Sequence, residues 1–196
     1  MNQISNTKFL VCILFFTIAS LHAQDDAAEL AKKLANPIAS LISVPFQNNS
    51  DYGIGDLKGS RNTLNFQPVI PISINQNLNL IGRVVLPIVT QNNITGISEK
   101  QSGLSDAVAS AFFSPKNTNN GFTWGAGPAF LIPTGTDDFL TSKKFGIGPT
   151  AVALKQTNGW TIGALVNQLW SVAGSDDRPD VSQMFVQPFI THNWKS

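Results

Sequence analysis

The chain has 196 residues, 42% of them hydrophobic and only 13% charged, with a formal net charge of +1. Soluble globular chains carry roughly 25% charged residues, so this composition argues against a disordered chain, and the near-zero net charge against a basic nucleic-acid-binding surface. A mean hydropathy of +0.04 is equally far from that of a bundle of membrane helices.

Residues 1–23 read as a secretory signal peptide: Lys8 gives the positive start, residues 9–20 the apolar stretch, and Leu21-His22-Ala23 the cleavage site. The apolar stretch falls short of the ~20 residues a membrane-spanning helix needs. Cleavage removes the one cysteine, Cys12, and so any disulfide or thiolate chemistry. Removing Lys8 leaves acids and bases in balance. Residues 24–37 follow as a short periplasmic helical segment, with Asp25 or Asp26 as cap and Asn36-Pro37 as stop. Leu30 and Leu34 share a face that can dock.

From residue 38 the period changes to two. In 63–74, Leu64, Phe66, Ile70 and Ile72 share one parity while Asn65, Gln67 and Ser73 share the other. In 78–90, Leu78, Leu80, Val84 and Leu86 lie opposite Asn79 and Arg83. Strands are predicted at 39–47, 63–74, 78–90, 105–113, 122–132, 146–155, 160–170 and 183–193. The connections alternate long and short, the order of an outer-membrane barrel with long extracellular loops and short periplasmic turns. The predicted fold is all-β: an antiparallel transmembrane β-barrel of about eight strands over 38–196.

Charge and aromatic placement point the same way. Most acids fall in long loops, and Arg83 is the lone base within a predicted strand. Phe113, Phe122, Trp124, Trp160 and Trp194 are expected near the short-turn end, and Phe46, Tyr52, Phe145 and Trp170 near the long-loop end. Two such girdles mark membrane interfaces. Prolines 68, 71, 87, 128, 149 and 188 cut against this, since each removes a ladder hydrogen bond from a predicted strand.

Several phrases carry a family resemblance. They include Leu34-Ala35-Asn36-Pro37-Ile38, Asn65-Phe66-Gln67-Pro68-Val69-Ile70-Pro71, Leu80-Ile81-Gly82-Arg83, Gly103-Leu104-Ser105-Asp106, Gly127-Pro128-Ala129-Phe130-Leu131-Ile132-Pro133-Thr134 and Val166-Asn167-Gln168-Leu169-Trp170. Together, from about residue 30 onward, they resemble the bacterial outer-membrane family named for the MetA pathway of phenol degradation, whose members are labelled transporters. The resemblance implies a transmembrane barrel passing aromatic compounds. It also implies further strands beyond Trp194-Lys195-Ser196, which would make this chain an unfinished barrel.

No catalytic constellation emerges: no nucleophile-elbow glycine pattern is present, and His192 is the one histidine after the leader. Gly125-Ala126-Gly127 and Gly146-Ile147-Gly148 precede no helix, so a phosphate loop fails its structural test. Asp137-Asp138 and Asp176-Asp177 with Asp180 are the best candidates for divalent ions, without the spacing of a helix–loop–helix calcium site. No metal site, cofactor or catalytic residue is assigned. Arg83, with Gln67, Ser73, Asn79, Ser110, Asn167, Gln183 and Gln187, is expected to face the barrel interior, as a constriction or an internal plug. The expected role is passive passage or binding of small molecules in a Gram-negative outer membrane, with lipid, lipopolysaccharide and a solute as partners. The alternatives are a closed structural barrel acting through its long loops and a soluble lipocalin-like binder.

Overall fold

The computed structural model describes residues 29–117 and 120–194, so the expected leader and the start of the helix lie outside the described residues. A short helix over 29–34 leads into an irregular stretch, and ten strands follow. They are β1 (Phe46–Ile54), β2 (Gly59–Phe66), β3 (Val69–Ser73), β4 (Leu78–Asn92), β5 (Lys100–Leu104), β6 (Ala107–Pro115), β7 (Phe122–Ile132), β8 (Lys144–Thr157), β9 (Trp160–Gly174) and β10 (Ser182–His192). All pairings are antiparallel, in the order β1-β2-β4-β6-β7-β8-β9-β10, with β3 and β5 also paired to β4.

β2 and β3 pair with successive stretches of β4 and behave as one strand broken at Gln67-Pro68. β5 and β6 likewise form one strand broken at Ser105-Asp106. The sheet therefore has eight positions and curls into a half-barrel. Among the described residues, edge strands β1 and β10 are not paired with each other.

Three expectations need correction. The first strand lies at 46–54 rather than 39–47, because Pro37 and Pro45 bracket the earlier stretch and leave it a single bridge, Ser43 to Val69. The expected long loop at 48–62 shrinks to the turn 55–58, so strict alternation fails there. It holds elsewhere: 93–99, 133–143 and 175–181 at one end exceed 74–77, 116–121 and 158–159 at the other. Arg83 also shares the strands with Arg61, Lys100, Lys144 and Lys155.

The tightest connection is Asn158-Gly159, with φ of 49° and 79°. Two successive left-handed residues match the right-handed twist of a hairpin, and Asn-Gly is the sequence that tolerates them best.

The strand prolines each have a structural answer. The Val69 N–H donates to the Ser43 carbonyl, away from β4. Pro71, two residues on, faces the same way, past the end of that bridge, where no strand needs its N–H. Pro188 faces the open side of β10, since Asn193, of opposite parity, bonds toward β9. Pro87 accepts from Ser105 N–H but returns nothing, and its site coincides with the break between β5 and β6. The Ser105 carbonyl left over accepts from the Thr134 hydroxyl at 2.8 Å.

Pro128 and Pro149 sit opposite each other. The β6–β7 register is interrupted between Ser110↔Ala129 and Phe113↔Ala126, and the β8–β9 register between Ile147↔Trp170 and Thr150↔Asn167. In both gaps a carbonyl has lost its partner: Ala111 opposite Pro128 and Gln168 opposite Pro149. Each carbonyl leans into the space where a Cβ on the preceding glycine, Gly127 or Gly148, would stand. The Gly-Pro pairs thus let a proline into a central strand by giving the orphaned oxygen room.

The same break at Ser105-Asp106 anchors the longest loop. Asp106 accepts from Gly135 N–H (3.2 Å), Thr141 Oγ1 (2.6 Å), Ser142 N–H (2.7 Å) and Ser142 Oγ (2.6 Å). Thr134 Oγ1 accepts from Ala107 N–H and Thr136 Oγ1 from Leu104 N–H, both at 3.0 Å. Asp106→Ala leaves several partly buried donors unpaired, a loss of about 2 kcal/mol. Limited proteolysis is expected to cut within 133–143 faster in that variant; an unchanged cleavage rate would refute the clip.

Candidate functional site: the sheet interior

Register and burial divide the side chains between two faces. Asn65, Gln67, Val69, Asn79, Ile81, Arg83, Ser110, Phe112, Leu165, Asn167, Gln183 and Gln187 share the concave face through the pairs Val69↔Arg83, Ile81↔Phe112, Arg83↔Ser110, Leu165↔Gln187 and Leu169↔Gln183. The convex face carries Ile70, Ile72, Trp124, Ile147, Val166 and Trp170, all exposed.

Inside, the composition changes with height. At the short-turn end Val69, Ile81, Phe112, Val152, Leu154 and Leu165 form an apolar floor. Its centre is Ile38, which comes from the segment after the helix and is only 2% exposed. Ile38 is fixed locally by its own N–H donating to Asn36 Oδ1 (2.9 Å), a short loop that turns the chain inward after the helix. Asn79 Nδ2 donates to Ser40 Oγ and Gln156 Nε2 to the Lys32 carbonyl, both at 2.9 Å, and hold the segment on either side. The expected docking residues Leu30 and Leu34 stay exposed. The seal is made instead by Ile38, from the turn that follows the helix.

Above the floor lies a cavity of about 460 Å³ lined by residues of β1, β2, β4, β6, β9 and β10. Arg83, Gln67, Ser110, Asn167, Gln183 and Gln187 all line it. Ser73 and Asn79 lie lower: Ser73 pairs in register with Asn79, and its hydroxyl accepts from Lys116. The expected interior set left out Gln47, whose strand was drawn too early, Arg61, assigned to a loop, and Asn65, although Asn65 already stood on the polar parity. Arg61 donates to Gln91 Oε1 at 2.9 and 3.1 Å, and Gln91 to Gln101 at 3.0 Å, a polar chain near the long-loop end.

Arg83 is held by one contact. Its Nη2 donates to Gln67 Oε1 at 2.6 Å, and Gln67 Nε2 donates onward to Gln47 Oε1 at 2.9 Å. A second cavity of about 250 Å³ lies toward Leu34-Ala35-Asn36-Pro37, and Gln47, Gln67, Arg83, Leu165 and Gln187 line both. Arg83 therefore stands at the waist between an upper chamber and the plugged end.

The aromatics expected to form girdles lie on the outer face. Phe113, Phe122, Trp124 and Trp160 are exposed near the short-turn end, where Trp160 and Trp194 flank His192 with centroids at 4.4 and 4.2 Å. Phe145 and Trp170 are exposed near the long loops. Phe46 is a correction: it begins β1 and pairs with Phe66, itself opposite Leu86 in the middle of β4, so it lies at mid-height.

Two of the loop acids considered for divalent ions, Asp138 and Asp180, are engaged by cations of the chain. Lys143 donates to Asp138 at 2.6 Å, and that hydrogen bond with its charge holds the Asp138 carboxyl below its usual range. Lys144, largely buried, reaches exposed Asp180 at 3.1 Å and lowers its pKa in the same way, with Ser171 adding a second hydrogen bond.

A family model described as "Putative MetA-pathway of phenol degradation" matches residues 43–187. No match was found among curated proteins or among solved structures. The matched span covers most of the chain, from the Ser43 bridge into the first half of β10, and so includes most of the curled sheet and its cavity. The chain belongs to the family of the MetA pathway of phenol degradation.

Proposed function

We propose that this chain is an exported outer-membrane β-barrel of a Gram-negative bacterium that binds or passes small molecules, aromatic and hydrophobic ones included, through its interior. One observation carries the reading: an exposed apolar face surrounds an interior lined by amides and an arginine. The charges that point outward from strands are Lys100 and Lys155, each near a strand end. Mid-bilayer lysine on a lipid face costs about 2–4 kcal/mol, so that distribution suits a lipid surround. The strands also have the length required. Eleven residues rise about 36 Å, or about 26 Å vertically when tilted near 45°, matching an apolar band of about 25 Å. Lipid and lipopolysaccharide are the partners of the outer face. The family's description, which names phenol degradation, supports an aromatic solute.

A soluble lipocalin-like binder would leave the whole convex apolar face in water, far beyond the patch a soluble monomer tolerates. The closed structural barrel has a specific observation behind it, the Ile38 seal. The full chain is expected to fractionate with outer membranes, to migrate differently on gels before and after heating, and to give stepwise conductance in planar bilayers. Recovery from periplasmic extract without detergent would overturn the membrane reading. A heat-modifiable chain that never conducts would favour the closed barrel.

A further inference from the structure

We infer that the waist around Arg83 is a recognition site for a small organic anion, with the carboxylate at the guanidinium and the apolar body in the chamber above. This rests on the barrel reading and names the class of solute its interior selects. Three observations carry it. Among the described residues, Arg83 is the one ionisable side chain lining either side of the waist: the upper chamber has no Asp or Glu in its lining, and neither has the lower. Among the described residues no carboxylate lies within ion-pair distance of Arg83.

Among the described residues its only side-chain hydrogen bond uses Nη2, to the neutral Gln67. A guanidinium has five N–H donors in a planar fork suited to a carboxylate, so most of its capacity is unused by the protein. A cation enclosed without a counter-charge is costly, and an anionic ligand supplies what the wall omits. Gln67, fixed in turn by Gln47, holds the guanidinium in place and presents no competing charge.

The remaining wall fits the rest of such a ligand. Val85 is two residues along the same face of β4, Val108 pairs with Val85 in register, and Leu165 and Phe185 come from β9 and β10. Ser110, directly opposite Arg83, and Asn167 offer further hydrogen-bond donors to a second oxygen. A carboxylate on a compact apolar body satisfies the arginine and the aliphatic wall together. A cation meets a like charge there, and a neutral solute leaves the guanidinium without its partner.

The test uses the full chain in detergent micelles with benzoate and its neutral isostere benzamide, followed by isothermal titration. Benzoate is expected to bind at least about tenfold more tightly, as the loss of a charged hydrogen bond predicts. Arg83→Gln is expected to remove that preference, Arg83→Lys to keep part of it, and Ser73→Ala, below the waist, to leave it intact. Equal binding of the two probes, an unchanged preference in Arg83→Gln, or no saturable binding of either overturns the proposal. Heat-modifiable migration of the same samples reports separately on the barrel, so the anion site can fail while the barrel reading stands.

Discussion

Gly127→Ala and Gly148→Ala are expected to be among the most damaging single-methyl substitutions in the sheet, each lowering stability by about 2–3 kcal/mol. The added Cβ meets the backbone oxygen of Ala111 in the first case and of Gln168 in the second, not the end of a flexible side chain. Neither oxygen can swing back into the ladder, because Pro128 and Pro149 offer no N–H to receive it. The strain must therefore be relieved by moving β6 from β7, or β8 from β9. Gly82→Ala is the matched control: it too is a strand glycine, and its new methyl meets nothing closer than the Ile70 oxygen at 3.8 Å. Its expected change is within about 0.5 kcal/mol. Denaturant unfolding in micelles measures all three, and equal stability of the three variants would rule out the Gly-Pro accommodation. Replacing Pro128 in the Gly127→Ala background should restore part of the loss, since the new N–H draws the Ala111 oxygen back into the ladder.

How much of this was legible before any coordinates depends on which force wrote the pattern. Where burial on one face set the alternation, the sequence placed the residues well: Asn65, Gln67, Asn79 and Arg83 share the concave face, and Ile70 and Ile72 the convex one. β1 escaped because its alternation is interrupted: Phe46, Tyr52 and Ile54 share the outward parity, but Asn48 and Ser50 stand between them, opposite inward Gln47 and Asn49. The preceding stretch does alternate around Ile42 and Val44, yet both remain exposed, and prolines deny it a ladder. The breaks at Gln67-Pro68 and Ser105-Asp106 were hidden for a different reason. The face pattern runs through them, and only the bonding pattern changes. The site was legible to the same degree. Parity gave the polar lining, but nothing local told that Ile38 enters the interior or that Gln67 holds Arg83, since both depend on chain segments brought together by curling.

Ile38 is where that tertiary information has its largest functional consequence. It fills the centre of the apolar floor, and Val69, Ile81, Phe112, Val152, Leu154 and Leu165 close around it. The polar ties of the N-terminal segment include side-chain hydrogen bonds at Ser40 and Lys32, the Ser43 bridge, and the Gln67 N–H donated to the Pro45 carbonyl. Each hydrogen bond is worth only about 1 kcal/mol net, so the buried isoleucine is the largest single contribution to the hold. Ile38→Ala is expected to weaken docking by about 2–3 kcal/mol, roughly 30- to 150-fold in favour of the detached segment. Detachment removes the cover from the lower chamber, and the passage past Arg83 then depends on the waist alone. Single-channel conductance of the full chain should rise in Ile38→Ala, and protease should reach residues 36–43. Leu34→Ala, at a side chain already exposed, should change neither. A segment that becomes protease-sensitive without any rise in conductance would mean that the waist, not the plug, closes the interior. Conductance unchanged together with an unchanged cleavage pattern would mean that the polar ties hold the segment without Ile38.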